Sequence, residues 1–385
     1  MTCVVRKHCC VARFGILLIT TVLIAGMIGC GPVLQYSLTI SSTGGGTVTA
    51  PGEGEHIYNE GAVVNLVTEA EGGYRFVSWT GDTDTIDNPD AASANITMND
   101  DYSITANFAL AGQAIWDWYD LDAVRDNLSG SYVLMNDLGP ATPGYDELAS
   151  TMANDGKGWQ PIGTMSDPFT GTLDGLGHEI SGLFINRTDE GGAALFYGLY
   201  YGGIIKDIGV VNATVTGYIG VAGLLGINAG MVISCYSSAN VTGDGPYVGG
   251  LAGWNAGDVN DSFSMGNVNG GQQTGGLVGG NDGAIDDSYS TAAVTGNSSV
   301  GGLVGTNGGT VSNSFWDIET SGQTTSAGGT GLNTTAMKDL TTYLGAGWQI
   351  VGVADADARD VAYIWNIVNG ETYPFLSWQS VVNND

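Results

Sequence analysis

Four stretches of this chain repeat one pattern: GLLGINAG at residues 223–230, GLAGWNAG at 250–257, GLVGGNDG at 276–283 and GLVGTNGG at 302–309. Their central leucines, Leu224, Leu251, Leu277 and Leu303, stand 27, 26 and 26 residues apart. Asn228, Asn255, Asn281 and Asn307 keep the same period, and twelve residues after each leucine comes an aromatic ring, Tyr236, Phe263, Tyr289 or Phe315. Three columns sharing one period define a repeat array. Each unit reads as three short extended pieces between Gly-rich turns, for example around Leu277, over Ile285–Ser290 and around Val294, which suits one three-sided coil of a parallel β-helix with coils about 4.8 Å apart. Leucines and aromatics are then expected in columns inside the coil. The asparagines are expected to form a structural amide ladder, each hydrogen-bonded to the next rung. Two residues after each asparagine stands Gly230, Gly257, Gly283 or Gly309, expected to turn the chain with φ > 0.

Composition agrees with a mainly β chain. Of 385 residues, 63 are Gly and 9 are Pro, with 43% hydrophobic and 13% charged, which excludes collagen and charge-rich disorder. Lys and Arg number 10 against 39 Asp and Glu, a net charge of −29 that repels phosphate backbones, so nucleic acid is excluded as a partner.

The first thirty residues read as an address. Arg6, Lys7 and Arg13 precede an uncharged apolar stretch, Phe14–Ile28, of signal-peptide length. It ends in Met27-Ile28-Gly29-Cys30, which resembles the bacterial lipobox; the resemblance implies a lipidated Cys30, a membrane partner through that lipid anchor, and an extracytoplasmic chain. With four of the five cysteines in this segment, only Cys235 remains beyond it, so no internal disulfide framework is expected.

Outward from the repeats the chain divides into a leader over 1–30, a β-rich module over 36–110, a junction over 111–168, the solenoid over 169–317 and a C-terminal cap over 318–385. In the first module Tyr36–Ile40 and Thr47–Thr49 alternate around Gly44-Gly45-Gly46 and read as a hairpin. The order YSLTIS, GGGTVT, EGAVVNLVTEAEGGYRFVSWTGD, ITMNDDYSITANF resembles the divergent internalin-type B-repeat, and most specifically so at Gly73–Gly81. That resemblance implies a display module without chemistry. In the junction Ile115, Trp118, Leu121, Val124 and Leu128 recur at helical spacing and predict an amphipathic helix capping the open end of the solenoid. The four GL-x-G cores and the entry PFTGTLDGLGHEISGL resemble the GLUG-motif repeats of bacterial surface proteins. Thr335–Leu344 predicts a short helix, with Trp365 and Phe375 supplying apolar mass to close the last coil.

Residues suited to catalysis are few. Beyond the leader there are two histidines, His56 and His178, in separate modules, and no zinc-protease or hydrolase motif. Cys235 occupies the place held by Ser262, Ser288 and Ser314 before each aromatic ring and is read as a small repeat residue. Closely spaced carboxylates suit Ca²⁺ as a cofactor: Asp82, Asp84 and Asp87 in a loop, and Asp261 and Asp287 one rung apart. The sequence therefore predicts a non-catalytic surface lipoprotein with an adhesive or scaffold role, its partner a surface glycan or a host or matrix protein. The alternatives are a carbohydrate-binding module using Trp254 and Trp316, and a polysaccharide lyase or glycoside hydrolase of β-helix type.

Overall fold

The computed structural model describes residues 34–71, 74–110 and 113–379. The apolar stretch 14–28 and Cys30 lie outside these residues. Among the described residues no helix is long and apolar enough to cross a membrane.

The first module is two small sheets around one core. Gln35–Ser42 pairs antiparallel with Gly54–Asn59 and parallel with Tyr102–Leu110, which pairs in turn with Tyr74–Gly81. Gly46–Ala50, Val63–Ala70 and Ser93–Thr97 make the second sheet. Leu38, Leu66, Trp79, Ile96 and Ile104 fill the space between them. The hairpin expected from 36–49 is thus a crossing between sheets. Gly45 takes φ = +100°, and Gly46 passes so close to the Phe108 ring that a Cβ there would collide with it.

The repeats form a three-sided stack of parallel strands. One face is built from Phe196–Leu199, Leu225–Asn228, Ala252–Asn255, Val278–Asn281 and Val304–Asn307, all in register. Another runs Phe184–Gly191, Thr214–Ile219, Asn240–Gly249, Asn267–Gly275 and Ala293–Gly301. The face between them is broken in each regular coil into two short strands, such as Ala284–Asp286 and Tyr289–Ser290. The break is a left-handed residue, Ser234, Asp261, Asp287 or Asn313, with φ between +43° and +51°. Asn and Asp reach that region more readily than other side-chain-bearing residues, and this accounts for the Asx column there.

The break also decides which way the aromatics face. Ile285 points into the coil; the left-handed Asp287 shifts the two-residue alternation, so Ser288 points in and Tyr289 points out. Leu224, Leu251, Leu277 and Leu303 line the interior with Val232, Val259 and Ile285. Tyr236, Phe263, Tyr289 and Phe315 belong to a separate core outside the coil, with Tyr343, Trp348, Trp365 and Leu376. The expectation of aromatics inside the coil is corrected accordingly. Tyr236 stacks on Phe263 at 4.8 Å and Phe263 on Tyr289 at 4.9 Å, both nearly parallel.

The C-terminal segment covers this aromatic flank instead of closing the last coil. It runs back along the stack: Tyr343 and Trp348 pack on Phe315, Trp365 on Phe263 and Tyr289, and Trp378 on Tyr236. Buried Asp317 fixes the reversal. One carboxylate oxygen caps Glu319 N at 2.8 Å, and the other accepts from Thr334 Oγ1 and Tyr373 Oη, both at 2.7 Å. The last coil is closed by 323–332, where Ser326 and Ala327 hydrogen-bond to the final rung and Thr330–Leu332 pairs with Phe315–Asp317. The predicted helix over 335–344 is two helices, Thr334–Met337 and Leu340–Ala346, because Asp339 caps the second one.

At the other end the helix is shorter than predicted. Trp118–Asp122 continues as a 3₁₀ turn to Asp126, while Ile115 lies on a strand beside Ser131–Leu134. Trp118, Leu121 and Val124 still enter the solenoid core, and Ser131–Leu134 pairs with the first coil. The open edge is covered, as an unpaired parallel sheet requires.

Candidate functional site

The repeat's polar columns face inward and bind rung to rung. Asn228 Nδ2 donates to Asn255 Oδ1, Asn255 Nδ2 to Asn281 Oδ1 and Asn281 Nδ2 to Asn307 Oδ1, each at 2.7 Å. The three donors are at most 1% exposed, and each also donates to the backbone of the following coil, at Asp258 O, Ala284 O or Thr310 O. A second column runs through serine: Ser288 Oγ accepts from Ser262 N and donates to Asp286 O, and Ser314 Oγ repeats this for Ser288 N and Ser312 O. Cys235 heads that column, its amide donating to Ser262 Oγ at 3.1 Å. Full burial pushes its thiol up to about 12, away from the thiolate form that a nucleophile needs.

Gly230, Gly257, Gly283 and Gly309 do not take positive φ. Their reason is close approach: a Cβ on Gly257 would lie 2.1 Å from Gly230 O, and one on Gly283 or Gly309 would lie 2.0 Å from the preceding glycine's carbonyl. The coils touch backbone to backbone at this corner.

The carboxylates considered for Ca²⁺ do not converge. Asp87 accepts from Asn95 N and Nδ2, both at 2.9 Å, which lowers its pKa, and Asp82 accepts from Ser103 N at 2.8 Å. Among the described residues no group of three metal-ligating side chains forms. Asp261 is held by the C-terminal segment, with Trp365 Nε1 donating to Asp261 Oδ1 at 3.1 Å. Trp316 is only 6% exposed, enclosed at the end of the coil, while Trp254 remains half-buried on an outer face.

Asp287 titrates abnormally. Burial, then the charges of Asp286 and Asp261, raise its pKa from 3.8 to about 6, and its Oδ1 is buried with no hydrogen-bond partner. A carboxyl raised in the folded state binds its proton more tightly there, so its contribution is fully present in acid and is lost as pH rises through about 6. Asn313 already fills the same place one rung on. Asp287→Asn is therefore expected to melt at a higher temperature than the parent at pH about 7.5 and to lose that advantage near pH 4. Thermal melts at the two pH values check this; a variant less stable at both would contradict it.

Sequence reasoning missed the cleft on the outer face beside Trp254, which Tyr197 and Tyr247 wall. The signal was present as Tyr247 standing where later coils carry Gln273 and Ser299, but only the fold brings it next to Trp254.

Comparison with known proteins matches residues 36–112 to the divergent InlB B-repeat domain and residues 270–295 to the GLUG motif. Halomucin of Haloquadratum walsbyi is 34% identical over 140 residues, which is 34% of this chain and 2% of halomucin. A protein of Evansella cellulosilytica provisionally named a Gly-rich membrane protein is 37% identical over 107 residues, 27% of this chain and 11% of its own length. The chain thus spans a small part of either relative. A solved chain from Bacteroides ovatus, provisionally named an immunoglobulin A1 protease, superposes with a TM-score of 0.46 at 18% identity, over 69% of this chain and 92% of its own. The protein carries a divergent InlB B-repeat domain followed by a β-solenoid that bears the GLUG motif.

Proposed function

We propose that this chain is an extracytoplasmic surface protein, tethered through a lipid on Cys30, whose solenoid serves adhesion or scaffolding without catalysing a reaction. The observation that carries this reading is the direction of the repeat's polar chemistry. The asparagine and serine columns turn inward and hold one coil to the next, and Asp261 is engaged by the Trp365 indole N–H. What the repeat offers to the outside is surface, carried on a rigid rod behind a second β module. The names of the two relatives, halomucin and a Gly-rich membrane protein, support display at the cell exterior.

Cys30→Ser is expected to abolish incorporation of radiolabelled fatty acid in the native host and to release the chain from whole cells. Unchanged labelling would overturn the tether. A binding screen of the purified chain against glycans and host-matrix proteins tests the adhesive role; hydrolysis or elimination products from a polysaccharide in the same screen would overturn the non-catalytic reading.

A further inference from the structure

A second left-handed position recurs at the corner that leads into the face carrying the asparagines. It is Gly192 and Gly220 in the early coils, then Tyr247, Gln273 and Ser299. The two glycines put no side chain of their own at the corner, and the Tyr197 ring lies over Gly192. Tyr247 then lays its ring over Gly280, where a Cβ would come 2.7 Å from Tyr247 Cδ1, and beside Trp254, with ring centroids 6.1 Å apart. Trp254 stands in register between Ile227 and Gly280 on the outer side of its strand. Between this pair and the ring of Tyr197 opens a cleft of about 240 Å³, floored by Gly220 and Ile227. Its rim carries the exposed side chains of Met165 and Ile219.

The lining decides the ligand class. It holds no charged and no amide side chain, and the indole N–H of Trp254 is engaged with Asp282 Oδ2 at 3.0 Å. A polyol enclosed here would give up hydrogen bonds to water with few replacements. An anion would meet a chain of net charge −29 with no Lys or Arg between Lys206 and Lys338. A quaternary ammonium ion needs no hydrogen bonds, is drawn to the faces of Trp and Tyr rings, and meets a chain of net charge −29.

We propose that the cleft walled by Tyr197, Tyr247 and Trp254 binds a trimethylammonium group, the cation of choline. This rests on the surface-display reading only for where the ligand comes from. Choline failing to bind would leave Cys30 labelling untouched, and lost labelling would leave the titration of the purified chain untouched.

The test is a calorimetric titration of the full chain with choline chloride. It runs beside the neutral isostere that has carbon in place of nitrogen, and beside a neutral disaccharide. Choline is expected to bind at least roughly tenfold more tightly than the isostere. Two variants use residues that the repeat already places at these positions, Trp254→Ile after Ile227 and Tyr247→Gln after Gln273. Both are expected to keep the parent's melting midpoint and to weaken choline binding roughly tenfold. Cosedimentation with phosphatidylcholine vesicles separates the sources: choline and vesicles both bound points to a lipid head group, choline alone to a soluble or polymer-borne one. Equal affinity for the isostere, binding of the disaccharide without choline, or variants that bind choline as the parent does would overturn the proposal.

Discussion

Asn281→Leu is expected to destabilise the solenoid by about 1–3 kcal/mol. Each buried polar group left without a partner costs roughly 1–3 kcal/mol. Asn281 accepts from Asn255 Nδ2 on one side and donates to Asn307 Oδ1 and Thr310 O on the other. Leucine strands the buried donor of Asn255 on the preceding rung and breaks the link to Asn307, which is exposed at the end of the column and turns to water. Its apolar surface offers no compensation, because Leu277 and Ile285 already fill the neighbouring interior. Chemical or thermal denaturation measures the loss; since neighbouring rungs are coupled, the transition is also expected to broaden.

Gly283→Ala is expected to cost about as much through a different cause. The added methyl would lie 2.0 Å from Gly257 O and 2.8 Å from Gly257 N, atoms of the backbone in the preceding coil. Overpacking of this kind costs typically about 1–3 kcal/mol and more where the neighbour cannot move. Here the neighbour is pinned, since Gly257 O accepts from Ala284 N at 2.8 Å and Gly257 N donates to Asn228 O at 3.1 Å. Gly345 is the control: it lies in the helix Leu340–Ala346 with nothing within 4 Å of its virtual Cβ. Gly345→Ala is expected to be neutral or to stabilise by up to about 1 kcal/mol. Equal effects at the two glycines would contradict the close approach of the coils.

What the sequence disclosed and what it withheld follow from the range of the forces involved. The period of 26 to 27 residues was legible because each coil repeats one local solution, leucine in and glycine at the corners. The direction of Tyr236, Phe263, Tyr289 and Phe315 was not, because it turns on a single left-handed residue per coil that reverses the alternation of the strand. Two residues carried a readable hint. Small Cys235 and Ser288 suit a tight interior, and the aromatic surplus of the C-terminal segment calls for a partner. The role of Gly257 and Gly283 was misassigned for a related reason: a glycine demanded by a neighbouring backbone looks the same in sequence as one demanded by its own φ. The cleft at Tyr197, Tyr247 and Trp254 draws on three coils, so no single repeat displays it. In the first module the crossing at Gly45 and Gly46 resembles a hairpin because both flanking strands alternate in the way that a hairpin would.

The stack of coils is held through its inward polar columns, which leaves the outside free. The most direct measurement is the melting midpoint of Asn281→Leu beside that of Asn297→Leu, a chemically identical change at an exposed asparagine on the same coil. A fall of several degrees is expected for Asn281→Leu and almost none for Asn297→Leu, since exposed substitutions usually stay within about 0.5 kcal/mol. Equal midpoints for the two variants would contradict it.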